Sequence, residues 1–298
     1  MLMTSNKERL AKRASRLKIS AITLAENLRS GSFKSVYRGQ GIEFSDVRDY
    51  LVGDNVRSID WNVTARMGRA FIKQYEEDRE LSVFLILDCS RSMEVPSRNS
   101  TRLNTAVEAA SLLLLASQQN AGATGTVFFD GKIRFSCEPK AGLKNSMMIL
   151  SKLDKLTDFP EEEKISGSVL PNAIKGAAKL LKKRSLVFIL SDFRTSNWEK
   201  PFALLAQKND VVAIRVTDPN DSELPKIGTV PFFDPETRKK SLFPTLSKRF
   251  KSEWFEANRQ RTDYWKEVCL KHGASPLQLS TEEDAALVLS RFFKQKAR

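Results

Sequence analysis

Three short, nearly continuous apolar runs constrain this chain more than any other feature: Leu81–Leu87, Leu186–Leu190 and Val211–Val216. Runs of five to seven residues without polar alternation suit strands covered on both faces. The stretches between them carry helical spacing: Leu103–Gln119, Leu143–Leu156, Pro171–Lys183 and Trp198–Lys208. A long helix follows over Lys251–His272, stopped by Gly273, then a short strand at Pro276–Leu279 and a final helix opened by the acidic turn Thr281-Glu282-Glu283-Asp284. Gly125–Phe129 and Lys132–Cys137 form a hairpin across Asp130-Gly131, a favoured tight-turn pair. Strands alternating with helices predict an α/β fold, with a mostly parallel sheet between helical layers on both faces.

Upstream of this pattern the chain changes character. Leu10, Ala14, Leu17, Ala21, Leu24 and Leu28 are spaced as one face of a helix, which Gly31 ends. Residues 31–77 are broken by Gly39, Gly41, Gly53 and Gly68 and hold one evident strand, Phe71–Tyr75. The expected organisation is a basic N-terminal helix over 1–30, a mixed β segment over 31–77 and the main α/β domain over 78–298. In the middle segment Glu43, Asp46, Arg48, Asp49, Asp54, Arg57, Asp60 and Arg66 interleave with Ile42, Phe44, Tyr50, Ile59 and Trp61. That density predicts an ion-pair network acting as a structural clamp.

Composition excludes several chemistries. A single histidine, His272, removes multi-histidine metal sites and most histidine-based catalysis, and its place late in a helix suits a C-terminal cap. Cys89, Cys137 and Cys269 form no C-x-x-C pair, which argues against a zinc ribbon or a disulfide framework and for a reducing compartment. The first residues lack an apolar signal core, and no run nears the roughly 18 apolar residues of a membrane span. The expectation is a cytoplasmic protein without a membrane span. The 298 residues carry 49 Lys+Arg against 36 Asp+Glu, a net charge of +13. Two clusters stand out, one between Lys7 and Lys18 and one of Arg238, Lys239, Lys240, Lys248, Arg249 and Lys251. Nucleic acid or an anionic surface is the alternative partner they suggest, although no nucleic-acid motif accompanies them.

The residues that follow the buried strands bear the chemistry. After Leu81–Leu87 comes Asp88-Cys89-Ser90-Arg91-Ser92, and after Leu186–Leu190 comes Ser191-Asp192. In open α/β sheets ligands sit beyond the carboxyl ends of strands. Asp88, Ser90 and Ser92 can turn three oxygens into one small volume, with Asp192 supplied by a second strand end. Ser168, just before the Pro171 helix, offers another hydroxyl and equally suits a helix-start cap. Such hard oxygens select a divalent cation: Mg²⁺ first, with Mn²⁺ or Ca²⁺ as alternatives. The expected ligand set is therefore Asp88, Ser90, Ser92, Ser168 and Asp192, leaving a position for an incoming acidic side chain.

These residues resemble the metal-ion-dependent adhesion site of von Willebrand factor A-type domains, with Ser168 where those domains usually have threonine. Gly39-Gln40-Gly41-Ile42-Glu43-Phe44-Ser45-Asp46-Val47-Arg48-Asp49-Tyr50, then Gly53 through Trp61 and Thr64-Ala65-Arg66, are similar to the signature of the bacterial "domain of unknown function 58" family. Asp218-Pro219, Leu224-Pro225 and Phe233-Asp234-Pro235-Glu236-Thr237 resemble its later blocks. The resemblance implies a three-layer von Willebrand A-like (Rossmann-like) domain that acts with MoxR-type AAA+ ATPases; together with the five oxygen ligands, the expectation is a non-enzymatic adaptor docking such an ATPase or its client.

Enzyme readings fare worse. A haloacid dehalogenase-type phosphatase needs a second Asp two residues after the first, and Ser90 stands there; serine cannot protonate a leaving group. The stretch from Gly125 to Gly131-Lys132 misses P-loop spacing, and Ile133 follows where a Mg²⁺-binding hydroxyl belongs.

Overall fold

A computed structural model of the protein describes residues 24–26, 41–51, 53–78, 82–95, 97, 100–156, 168–221, 223–224, 228–233 and 240–296. The expected basic helix over 1–30 lies outside these residues apart from Leu24–Glu26, which is helical. Arg238 and Lys239 of the second basic cluster also lie outside them. The chain divides into two compact units, one of residues 37–80 and the other of residues 1–36 and 81–298.

In the smaller unit, β1 (Gly41–Asp49) pairs antiparallel with β2 (Phe71–Asp78), with a register shift between Phe44 and Asp46. Between them runs the short helix α1 (Trp61–Met67). Asp60 caps its start by accepting from the Asn62 and Val63 amides, and Gly68 ends it in the left-handed conformation at φ 70°. Part of the expected ion-pair network is present. Arg48 grips Asp54 through two bonds of 2.7 and 2.8 Å, and Arg69 reaches Asp49 at 3.3 Å. Trp61 is 67% exposed, so it is no core residue.

The larger unit is built on a six-stranded sheet: β3 (Ser82–Asp88), β4 (Ala123–Phe129), β5 (Ile133–Lys140), β6 (Leu186–Ser191), β7 (Asp210–Thr217) and β10 (Ser275–Ser280). Their order is β10-β7-β6-β3-β4-β5, all parallel except the β4–β5 hairpin. Pro139 sits in β5 without disrupting the sheet because β5 is an edge strand. The chain fills one side of β3 first, then returns to lay β6 on its other side. Strand order therefore reverses between β3 and β6.

Helices cover both faces, as the strand composition demands. These are α2 (Arg102–Gln119), α3 (Leu143–Lys155), α4 (Leu170–Leu180), α5 (Glu199–Lys208), α6 (Lys248–Lys271) and α7 (Ala285–Lys296). Phe84, Ile86, Val187 and Ile189 turn to one face, where Leu170 and Ile174 of α4, Phe202 of α5 and Trp265 of α6 complete the core. On the other face the Phe188 ring meets Phe293 of α7 edge-on at 6.1 Å. The fold is a three-layer α/β architecture with a mostly parallel sheet between helices, as expected from the sequence. A two-stranded hairpin of β8 (Thr229–Phe233) and β9 (Lys240–Pro244), not foreseen, precedes α6. Among the described residues no helix is long and apolar enough to cross a membrane.

Candidate metal site

The reversal of strand order leaves the carboxyl ends of β3 and β6 side by side, with Leu87 opposite Leu190. Asp88 closes β3 and Ser191 closes β6, and both are buried. Asp88 Oδ1 accepts from its own loop, the Ser90 amide at 3.0 Å. Its Oδ2 accepts the Ser191 hydroxyl at 2.7 Å and the Ser168 hydroxyl at 3.3 Å. Ser90 and Ser92 lie Oγ to Oγ at 3.1 Å. Ser168, reaching Asp88 from just before α4, is drawn to the site rather than to a capping bond: the start of α4 has no side-chain cap.

Asp192 follows β6 and is 4% exposed. Its Oδ1 accepts the Arg194 amide at 3.0 Å, while its Oδ2 is buried without a hydrogen-bond partner. Arg194 Nε is 3.9 Å from that oxygen, near enough to attract it and too far to bond. Burial raises the proton affinity of Asp88, and the charge of Asp192 raises it further, so the carboxyl titrates at about 7 despite its donors. Two buried carboxylates that interact by charge, one with an oxygen lacking a hydrogen-bond partner, make a strongly electronegative spot. The residues fit a hard divalent ion. Among the described residues no three His, Cys, Asp or Glu side chains gather, so a zinc-type cage is not on offer.

All five residues singled out by sequence thus belong to one neighbourhood, four through hydrogen bonds or oxygen contacts and Asp192 through its charge. Ser191, beside Asp192 in the sequence and outside the expected ligand set, bonds Asp88 at 2.7 Å. An arginine frame was also missed. Asp221, just after β7, holds both Arg102 of α2 and Arg194 on one oxygen, Oδ1, the second at 2.5 Å. Arg102 in turn donates to the Ser92 carbonyl at 3.1 Å, which ties the frame to the serine loop. Arg215 of β7 is buried, donates to Thr262 at 2.9 Å and lies 5.9 Å from the Trp265 ring centre. Burial lowers its proton affinity, Arg194 lowers it further, and Asp221 and Asp192 pull it back. The lone histidine plays no part here; His272 caps the end of α6.

Comparison with known proteins bears on the chain as a whole. "Uncharacterized protein Mb1516" of Mycobacterium bovis is 29% identical over 274 residues, covering 90% of this chain and 84% of its own. "Uncharacterized protein MAV169" of Mycobacterium avium is 32% identical over 130 residues, covering 43% of this chain and 76% of its own. Among solved structures, an aerotolerance-related membrane protein from Bacteroides fragilis matches with a TM-score of 0.47 and 16% identity, over 73% of this chain and 98% of that one. The SpRpn10 VWA domain matches at 0.39 and 12% identity, over 72% and 95%. The family model described as "Protein of unknown function DUF58" matches residues 46–264, and the chain belongs to that family.

Proposed function

We propose that the protein is a non-enzymatic adaptor that docks a partner protein through a divalent cation held by Asp88, Ser90, Ser92, Ser168 and Asp192. When bound, the ion supplies positive charge to two crowded carboxylates and an open position for a carboxylate of the partner. The chain's own residues do the rest. Ser191 and the Ser90 amide fix the Asp88 carboxylate, and Arg102 holds the serine loop through the Ser92 carbonyl. The observation that carries this reading is the buried, unpartnered Oδ2 of Asp192 beside a carboxyl whose proton affinity is raised. Serine at position 90, where a phosphatase of this layout needs a general acid, supports docking over turnover. The partner class is an AAA+ ATPase of the MoxR type or its client, and the preferred ion is Mg²⁺.

Calorimetric titration of the purified protein with Mg²⁺ and Mn²⁺, compared with Asp88→Ala, tests the ion. Heat of binding in the wild type that is absent from the variant is expected; identical profiles overturn the site. A pull-down with and without chelator then tests the docking. Partners retained equally under both conditions would remove the ion from the interaction.

A further inference from the structure

The β8–β9 hairpin and the first turn of α6 make a surface that the metal site does not use. Its root is aromatic. Phe243 contacts Phe232, Phe250 and Trp254 with ring centres 4.6, 5.1 and 5.6 Å apart, and the Trp254 indole donates to the Asn220 carbonyl at 3.3 Å. These rings occupy one another, which makes the hairpin a supported platform. Its outer face is apolar: Pro231 stands opposite Leu242, both exposed, with Leu242 at 71%. Leu246, in the turn leading to α6, is 63% exposed.

Cations flank these side chains along the chain. Lys240 lies two residues from Leu242 and so on the same face of β9, while Lys248, Arg249 and Lys251 open α6. Arg249 is answered by Glu253 at 2.8 Å. The first turn of α6 has no acidic residue, so three cations crowd the helix end whose dipole favours anions. Local stability does not explain that choice. Glu253 compensates Arg249 alone, and a local rule broken at the other two positions marks a place where function is expected.

We infer that the β8–β9 hairpin and the start of α6 form a peripheral docking surface for an anionic lipid bilayer. Leu242 and Leu246 enter the boundary between headgroups and acyl chains, and Lys240, Lys248 and Lys251 lie at the level of the lipid phosphates. A nucleic acid would use the cations but has no place for the exposed Leu242 and Leu246. The aromatic rings that could stack on bases are already packed together.

The test is flotation of the full chain, in chelator, with vesicles of phosphatidylcholine alone or mixed with phosphatidylglycerol. Chelator separates this surface from any docking through the metal site. Binding is expected only to the mixed vesicles, weakening as salt rises. Leu242→Ser with Leu246→Ser, which changes no charge, should weaken it about tenfold or more. Lys240→Glu with Lys248→Glu should do at least as much. Leu242→Trp, a gain-of-affinity variant, should bind tighter and shift its fluorescence to the blue on adding vesicles. Wild-type binding absent from the mixed vesicles overturns the proposal. So does a serine pair that binds them like wild type, or a chain that prefers DNA and is indifferent to the leucines.

Discussion

Ser191 donates its hydroxyl hydrogen to Oδ2 of Asp88 across 2.7 Å, joining the tips of two neighbouring parallel strands. The same oxygen of Ser191 accepts the Phe193 amide at 3.0 Å, so the hydroxyl is oriented from both sides. Ser191→Ala removes the 2.7 Å bond and keeps the longer one from Ser168 to Oδ2. The expected cost is about 1–3 kcal/mol, because a buried carboxyl loses a close donor. Urea unfolding in chelator measures it, and a Mg²⁺ titration should show weaker binding in the same variant. Unchanged unfolding and unchanged binding would mean that the bond holds nothing in place.

The raised proton affinity of Asp88 makes stability depend on pH in a stated direction. Its carboxyl moves from an ordinary value of 3.8 to about 7 on folding, so the folded chain keeps a proton that the unfolded chain releases. This contribution is fully present below the unfolded value and is lost as pH rises through the folded one. The metal-free protein should therefore melt lower at about pH 8 than at about pH 5, as far as Asp88 governs it. Mg²⁺ should restore the loss at the higher pH, where binding displaces no proton. Asp88→Asn removes the charge and keeps an acceptor for Ser191. It should melt above the metal-free wild type at about pH 8 and ignore Mg²⁺. A variant that still responds to Mg²⁺ would place the ion elsewhere.

Arg102 and Arg194 converge on one carboxylate oxygen of Asp221, and the first of these arginines is nearly inaccessible. Asp221→Asn takes the charge from between two guanidinium groups that cannot shed their protons. Removing one member of a buried ionic group costs about 3 kcal/mol. Because Arg102 also holds the Ser92 carbonyl, the loss should spread to the site as weaker Mg²⁺ binding. Thermal melts and the Mg²⁺ titration read the two effects separately. Arg102→Met/Asp221→Leu, which removes charge from both, should recover stability without recovering the ion affinity.

What sequence alone revealed follows from how local each signal is. β3, β6 and β7 were legible because a strand buried on both faces leaves no choice but apolar residues, and Asp88 and Asp192 because each directly follows such a strand. The hairpin of β8 and β9 was not legible: Pro231, Pro244 and a run of cations interrupt any alternating pattern, and the pairing emerges only in the fold. β1 was hidden in the same way by Glu43, Asp46, Arg48 and Asp49. In the site, Asp88-x-Ser90-x-Ser92 is a local pattern. The Arg102–Asp221 pair joins residues 119 positions apart, and nothing near either residue announces the other.

Gly125 sits opposite Phe84 in the β3–β4 register, and a Cβ there would lie 2.7 Å from the Pro139 nitrogen and 2.8 Å from the Phe84 ring. Both neighbours resist: one is backbone of the edge strand β5, the other a fully buried ring. Gly125→Ala should therefore destabilise by about 1–3 kcal/mol, the range for overpacking a dense core. Phe84→Leu relieves the ring contact but leaves the Pro139 backbone in the way. Adding it to Gly125→Ala should return part of the loss, and by less than it costs in the wild type to shorten that side chain. Denaturant midpoints of the four proteins settle the coupling. Simple additivity would mean that β5 alone, and not the ring, forbids a side chain at position 125.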